Sequence, residues 1–495
     1  MIKKYKPNSL QELKELVSDK SVHLGDIDTS LITDMTELFK DSTRKNFDGL
    51  ETWDTSNVTT MKGMFCVAKY FNHPIGNWDV SSVTNMECIF CGCSNFNQPL
   101  GDWDVSSVTN MESMFGTCGK FNQPLNDWDV SKVRKISCMF CEAESFNQPL
   151  DRWNTSEVRE MSWTFAGCTK FNQDISSWDT SNATVMEGVF ERAARFNQPL
   201  NTGNVSNVRD MFRMFEGAHR FNKPLEAWNV SSVTEMNYMF SNAERFNQPL
   251  DGWNVSSVRN MRCMFYYALS FNQDLNSWNV SNVTDMDGMF YLAERFNQPI
   301  GAWNVSAVTN MRQMFWRAAA FNQSLEKWNV SNVQNMREMF CEASSFNQPL
   351  NDWDVSNVQD MREMFSKASS FNKPLSNWNV SNVQNMYCMF NEAKSFNQPL
   401  DRWDVSNAKD MAYMFCKATS FRQPITAWRL CGQSTKGMFL RLPDYRDIES
   451  RVMCLTPHDE EAMRYDLEDM IGIFGEEAVQ DALRLYGPKY GLKED

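Results

Sequence analysis

Tryptophan recurs every 25 residues through most of this chain, a register that no packing of unrelated segments would produce. Trp53, Trp78, Trp103, Trp128, Trp153 and Trp178 open a series that resumes at Trp228 and continues to Trp428, with Gly203 in the one missing place. In phase with it run Phe71 to Phe421, each but the last followed by Asn, and Ser56 to Ser406. A fixed period of this length marks a stacked array whose units are too small to bury their own apolar faces. The usual division of 495 residues into three or four globular domains therefore does not apply.

One unit, residues 346–370, reads FNQPLNDWDVSNVQDMREMFSKASS. Val358, Met361, Met364, Phe365 and Ala368 fall at helical offsets, which predicts a short helix with one apolar face. Ser356 occupies the place of its N-cap. Pro349 excludes a helix from the first half, where Trp353-Asp354-Val355 alternates as a half-buried strand does. Stacking would set each strand about 4.8 Å from its copy, giving a parallel sheet with helices opposite and a curved rod overall. Asn72, Asn97, Asn122 and their successors, next to the buried Phe, predict an internal amide ladder that satisfies turn backbone; a ligand site is the alternative. The Met61 to Met411 series shares the phase of Phe and Ala, which points to core packing rather than a soft-metal ladder.

The pattern F-N-Q-P-L-x-x-W-x-V-S-x-V-x-x-M-x-x-M-F-x-x-A resembles the 25-residue repeats of the BspA-like leucine-rich-repeat surface-protein family, over about three quarters of the chain. That resemblance implies a leucine-rich-repeat-like solenoid used in protein binding or in adhesion at cell surfaces. The expected fold is thus α/β: a right-handed leucine-rich-repeat-like solenoid with one short strand and one short helix per repeat and a parallel sheet on one side. It is expected to span residues 26–439 in about 16 repeats, the first and last degenerate.

Residues 1–25 are expected to form a helical cap, because Ser9 and Glu12 have capping-box spacing ahead of an amphipathic stretch ending at Ser18. Residues 440–495 are expected to form a helical cap or tail, with a docking or dimerising module as the alternative. There Thr456-Pro457 resembles a helix start, and Ala462, Met463, Leu467, Met470 and Ile471 follow at helical spacing. Gly475 separates a second helix, Glu476 to Tyr486, which Gly487-Pro488 ends.

A net charge of -14 argues against binding to nucleic acid, whose phosphates need a basic surface. The first residues carry no signal-peptide core, and no run of 18 apolar residues is present to span a membrane. The 14 cysteines sit at variable positions without partner spacing and read as reduced thiols, so the expected location is cytoplasmic; the resemblance offers a surface location instead. Cys88, Cys91 and Cys93 have no second pair with which to complete a zinc site. None of His23, His73, His219 and His458 has a repeated carboxylate, Cys or Ser partner, and no phosphate loop or nucleophile elbow occurs. No enzyme activity, catalytic residue, metal or cofactor is therefore expected.

Partner recognition must lie at positions that vary between repeats. Tyr266, Tyr267, Tyr291, Leu292 and Trp316 fall at matching or adjacent positions of three consecutive repeats and form a candidate protein-contact patch; the alternative is that they lie over neighbouring helices. Just before the buried Phe, Lys120, Lys170, Arg195, Arg220, Arg245 and Arg295 form a candidate basic ladder for phosphate or an acidic protein face. The alternative is ordinary solvated charge, partly paired with Glu244 and Glu294. The expected function is a non-catalytic scaffold for protein–protein binding, with a structural or adhesive surface protein as the runner-up. The sequence names neither the partner nor the oligomeric state. Gly203, where an indole is missing, predicts a soft spot or groove.

Overall fold

A computed structural model describes residues 3–442 except 429 and 431, then 445, 447–455, 460–490 and 492. The chain divides into two compact units, Met1–Ser257 and Val258–Asp495, and the same coil builds both.

Each repeat makes one coil, and successive coils are joined by backbone hydrogen bonds most of which run one way; one per coil is reversed, as where Gln359 N–H donates to Gln334 O at 2.9 Å. In the coil of residues 346–370, the N–H groups of Met361, Glu363, Phe365 and Lys367 donate to the carbonyls of Asn385, Tyr387, Met389 and Asn391 at 2.7–2.9 Å. The carbonyls of Asp360, Arg362, Met364 and Ser366 accept in turn from the coil before. Parallel bridges link Asn335, Asp360 and Asn385, and in the first unit Thr60, Asn85 and Asn110 are linked likewise. Four amides of such a coil thus point towards the C-terminal neighbour against one towards the N-terminal neighbour, so the ladder of each unit has a net polarity.

Between these bonds the chain turns on itself. Met364 N–H donates to Met361 O, Ser366 to Glu363 and Ala368 to Phe365, at 3.0–3.1 Å. Glu363 and Lys367 both have φ 55°, at the third position of their turns, where a type II turn requires the left-handed region. The same pair recurs from Glu37 and Asp41 to Gly437 and Arg441.

These turns correct the expected helix and strand. Among the described residues no α-helix lies between Ser18 and Ile448. Val358, Met361, Met364, Phe365 and Ala368 are fully buried, as their spacing demanded. Consecutive turns closed between residues i and i+3 bring side chains inward at three and four residues, as a helix does. They also leave alternate N–H and C=O groups free for the neighbouring coils, groups that an α-helix would consume internally. The expected strand is displaced too. Trp353 and Val355 are buried and Asp354 exposed, but the parallel bridge falls at Asp360. Nor does Ser356 cap a helix: its own N–H donates to Asp354 Oδ1 at 3.1 Å in an Asx turn.

The core is a set of ring columns. Phe340, Phe365 and Phe390 stack with centroids 5.6 Å apart, while Phe346, Phe371 and Phe396 stack at 6.0 and 6.1 Å. Trp353 lies 6.4 Å from Trp328, and its Nε1 donates to Leu325 O at 3.0 Å. Burying the indole N–H against a carbonyl removes the cost of leaving that donor unpaired. The asparagine ladder is present, half-buried rather than internal. Asn322 Oδ1 accepts from Asn347 N–H at 2.9 Å and from Gln348 Nε2 at 3.0 Å.

At the first coil, α1 (Leu10–Ser18) starts where Ser9 Oγ accepts from Glu12 N–H, and it buries Leu13 and Val17. After the last coil come α2 (Ile448–Met453), α3 (Glu460–Phe474) and α4 (Glu476–Tyr486), around a small core of Leu455, Met470, Val479, Ala482 and Leu492. Helix α4 has the expected bounds; the helix start expected at Thr456-Pro457 lies outside the described residues.

Candidate functional site

The coil geometry brings four of the basic ladder residues together in the first unit. Lys170, Arg195, Arg220 and Arg245 are exposed and line a shallow groove of about 460 Å3 with His219 and Glu244. Each immediately precedes a core phenylalanine, and the rings of Phe171, Phe196, Phe221 and Phe246 stack at 5.9, 6.0 and 5.9 Å, which sets the rung spacing. The pairing with Glu244 expected as the ordinary explanation goes elsewhere: Glu244 Oε1 lies 3.3 Å from His219 Nδ1. The sequence reading left His219 without a partner and gave Glu244 to the basic ladder, and so missed that the two pair with each other. Placed in the 25-residue phase they are successive rungs beside Arg220 and Arg245. Arg295, in the second unit, is exposed between in-phase Ser270 and Ala320 and belongs to no such run.

The aromatic residues form a column rather than a loose patch. Tyr266 and Tyr291 stack with centroids 4.4 Å apart, and Tyr291 and Trp316 stack at 4.4 Å. All three are half-buried, so their faces are spent on one another and their edges remain available. Burial pushes the Tyr266 hydroxyl up and that of Tyr291 to about 12, so both stay neutral donors. Tyr267 and Leu292 stand beside the column at left-handed positions, φ 59° and 56°. Helices are absent beneath these residues, yet the rings do lie over their neighbours, each on the equivalent ring of the next coil, and Leu292 is buried.

One family description fits the chain almost end to end. "Mycoplasma protein of unknown function, DUF285" matches residues 8–126, 76–166, 115–224, 203–298, 274–368 and 348–446, overlapping blocks that tile the coils. The chain belongs to this family. No curated protein matches it in sequence. Among solved structures, TLR13 in complex with ssRNA13 aligns over 88% of this chain and 85% of its own, at 10% identity and TM-score 0.16. Toll of the Drosophila Toll–Spatzle complex aligns over 77% and 54%, at 11% identity and TM-score 0.22. The plant peptide hormone receptor RGFR1 with RGF2 aligns over 72% and 77%, at 6% identity and TM-score 0.16. Overlap at that level defines no common overall geometry.

In this DUF285 chain the missing indole leaves a space. A cavity of about 40 Å3 lies against Gly203, walled by Trp178, Trp228, Phe190 and three methionines. A small apolar space thus stands where a soft spot or groove was expected.

Among the described residues no three His, Cys, Asp or Glu are placed to hold an ion, and the described cysteines are free thiols. A hydrogen bond from Cys91 draws the Cys88 thiol down to about 7, while burial pushes Cys93 up to about 12. His73 Nε2 lies 2.6 Å from Glu51 Oε2; His458 is outside the described residues. Among the described residues no helix is long and apolar enough to cross a membrane.

Proposed function

We propose that this chain is a non-catalytic repeat scaffold that binds a protein partner, and that the basic groove takes an extended acidic segment of it. The observation that carries the reading is the run Lys170, Arg195, Arg220 and Arg245: four exposed cations on successive coils of a chain whose net charge is -14. Their nearest carboxylate in the groove is engaged by His219. An extended peptide presents side chains on one face every two residues, roughly 6.6 Å. The rungs, set by rings 5.9–6.0 Å apart, nearly match that interval. Alternate carboxylates of one strand would therefore each meet a guanidinium or ammonium group. The likeness to BspA-like repeats, which implies protein binding, supports the same reading.

Exposed ion pairs contribute about 0.2–1 kcal/mol each, so the groove should bind weakly and in a salt-sensitive way. A fluorescent peptide with glutamate at alternate positions should bind the chain at low salt, measured by anisotropy. Replacing Arg195, Arg220 and Arg245 together by Ser should weaken that binding about tenfold. Equal affinity in the triple variant, or indifference to salt, would reject the groove.

The Tyr266, Tyr291 and Trp316 column is a second contact, because aromatic edges with hydroxyl and indole donors suit a protein surface. Tyr267→Ser with Trp316→Ser should weaken capture of that partner severalfold while leaving the circular dichroism unchanged. Undiminished capture removes the column from the interface.

A further inference from the structure

The indole column of the first unit is built so that one carbonyl serves two donors. Leu150 O accepts from Trp153 N–H at 3.3 Å and from the indole Nε1 of Trp178 at 3.0 Å. Leu200 O likewise accepts from Gly203 N–H at 3.1 Å and from Trp228 Nε1 at 2.8 Å. Ile175 O stands at the same place one coil before Leu200. It accepts from Trp178 N–H at 3.0 Å, and the residue whose indole would be its second donor is Gly203.

The ring contacts are interrupted at the same point. Trp153 and Trp178 stack at 5.9 Å and 5°, and Trp228 and Trp253 at 6.5 Å and 5°. Between Trp178 and Trp228 one rung is absent. Phe165 and Phe215 each pack a ring against their tryptophan at 5.7 and 6.2 Å, whereas Phe190, the member between them, borders the cavity. The opening also reaches the surface. Leu200 is 8% exposed and Ile175 5%, against 0% for Leu150 and Leu225.

We propose that this gap is a binding slot for a free indole-class small molecule: a planar bicyclic ring with one N–H donor, stacked between Trp178 and Trp228 and donating to Ile175 O. The space, about 40 Å3 as it stands, has almost wholly apolar walls that offer a water few partners, so a ring entering it displaces little ordered water. Met161, Met186 and Met214 line the space, and their unbranched, rotatable side chains are the walls that yield to admit a ring. The occupant is a free ring rather than a side chain on a peptide. At the mouth a Cβ built on Gly203 would stand 3.3 Å from Leu200 O and 3.4 Å from Thr180 Oγ1, leaving little width for an attached backbone. The slot is independent of the basic groove, since it uses no charged residue.

Titration calorimetry of the full chain with indole tests this, with naphthalene as the ring of similar shape that lacks the N–H. Indole should bind saturably, and roughly three- to tenfold more tightly than naphthalene, the discrimination expected for one hydrogen bond. Gly203→Trp should fill the slot, lower indole affinity at least tenfold and raise amide protection in residues 198–208. No saturable binding of indole, equal affinity for the two rings, or unchanged affinity in a folded Gly203→Trp protein would each overturn the proposal. The comparison of the two rings needs only the unaltered chain, so it decides even where the variant does not fold.

Discussion

At the first coil the chain supplies one helix and a buried guanidinium that touches only backbone, whereas at the last coil a buried guanidinium is accompanied by two carboxylates. Arg44 is 6% exposed, and its Nη2 donates to Val17 O at 3.2 Å and Asp19 O at 2.9 Å, fastening the C-terminal end of α1 to the coil. Arg451 is 4% exposed. It donates to Tyr445 O at 3.3 Å, to Leu442 O at 2.7 Å and to Asp469 Oδ2 at 2.9 Å. Asp466 of α3 accepts from Gly437 N–H at 3.1 Å. The difference follows from the polarity of the ladder. A terminal coil with no C-terminal neighbour is left mostly with forward-pointing amides, which need acceptors; the opposite end is left mostly with carbonyls, which need donors and which no carboxylate can serve. The half-buried Asp466 serves the first need, and the Arg44 guanidinium the second.

The sharpest way to break this comparison is to remove each guanidinium. Arg451→Met strands two carbonyls and leaves Asp469 without its cation, and should lower the opening free energy of the C-terminal helices by about 3 kcal/mol. Arg44→Met strands carbonyls alone, at a helix end, and should cost α1 about 1–2 kcal/mol. Native-state hydrogen exchange, read separately for α1 and for α3 and α4, gives both numbers. Equal losses at the two ends would show that the carboxylate partner adds nothing.

Much of the coil could be read from the sequence because burial depends on spacing, and spacing is explicit. Trp353, Phe365, Met361 and Met364 are all buried where the period placed them. The type of backbone could not be read in the same way. A row of turns and a helix bury the same positions, and what separates them is the left-handed conformation at Glu363 and Lys367, which those two residue types do not announce. The periodic spacing also placed Lys170, Arg195, Arg220 and Arg245 on one line, since equivalent positions of neighbouring coils must meet. Whether their charges were free was not legible, because it depended on Glu244 turning to His219 rather than to an arginine. The contacts by which the end helices dock were least legible, although α1 and α4 have the bounds expected of them. The bond from Gly437 to Asp466 spans 29 residues across the stretch where the period fails, so no register pointed to it.

Asp466 gives the finer test of the two ends. Burial pushes its carboxyl up from the ordinary 3.8 to about 6, partly offset by the Gly437 N–H and by Arg451 and Lys436, with Asp469 adding to the rise. A carboxyl whose pKa is higher in the folded state stabilises that state while protonated. The contribution is full below about pH 4 and is lost as pH rises through about 6. The C-terminal helices should therefore open more easily at pH 7 than at pH 4.5, by on the order of 2 kcal/mol from this group. Asp466→Asn keeps an oxygen to accept from Gly437 without the charge. It should raise protection of α3 at pH 7 and flatten its change between those pH values, once exchange is corrected for intrinsic rates. Helix α1, held by Arg44 through carbonyls, should respond identically in both proteins. An unaltered pH profile for α3 in Asp466→Asn would mean that the amide end of the ladder is satisfied without its carboxylate, and the charge difference between the ends would then have no energetic content.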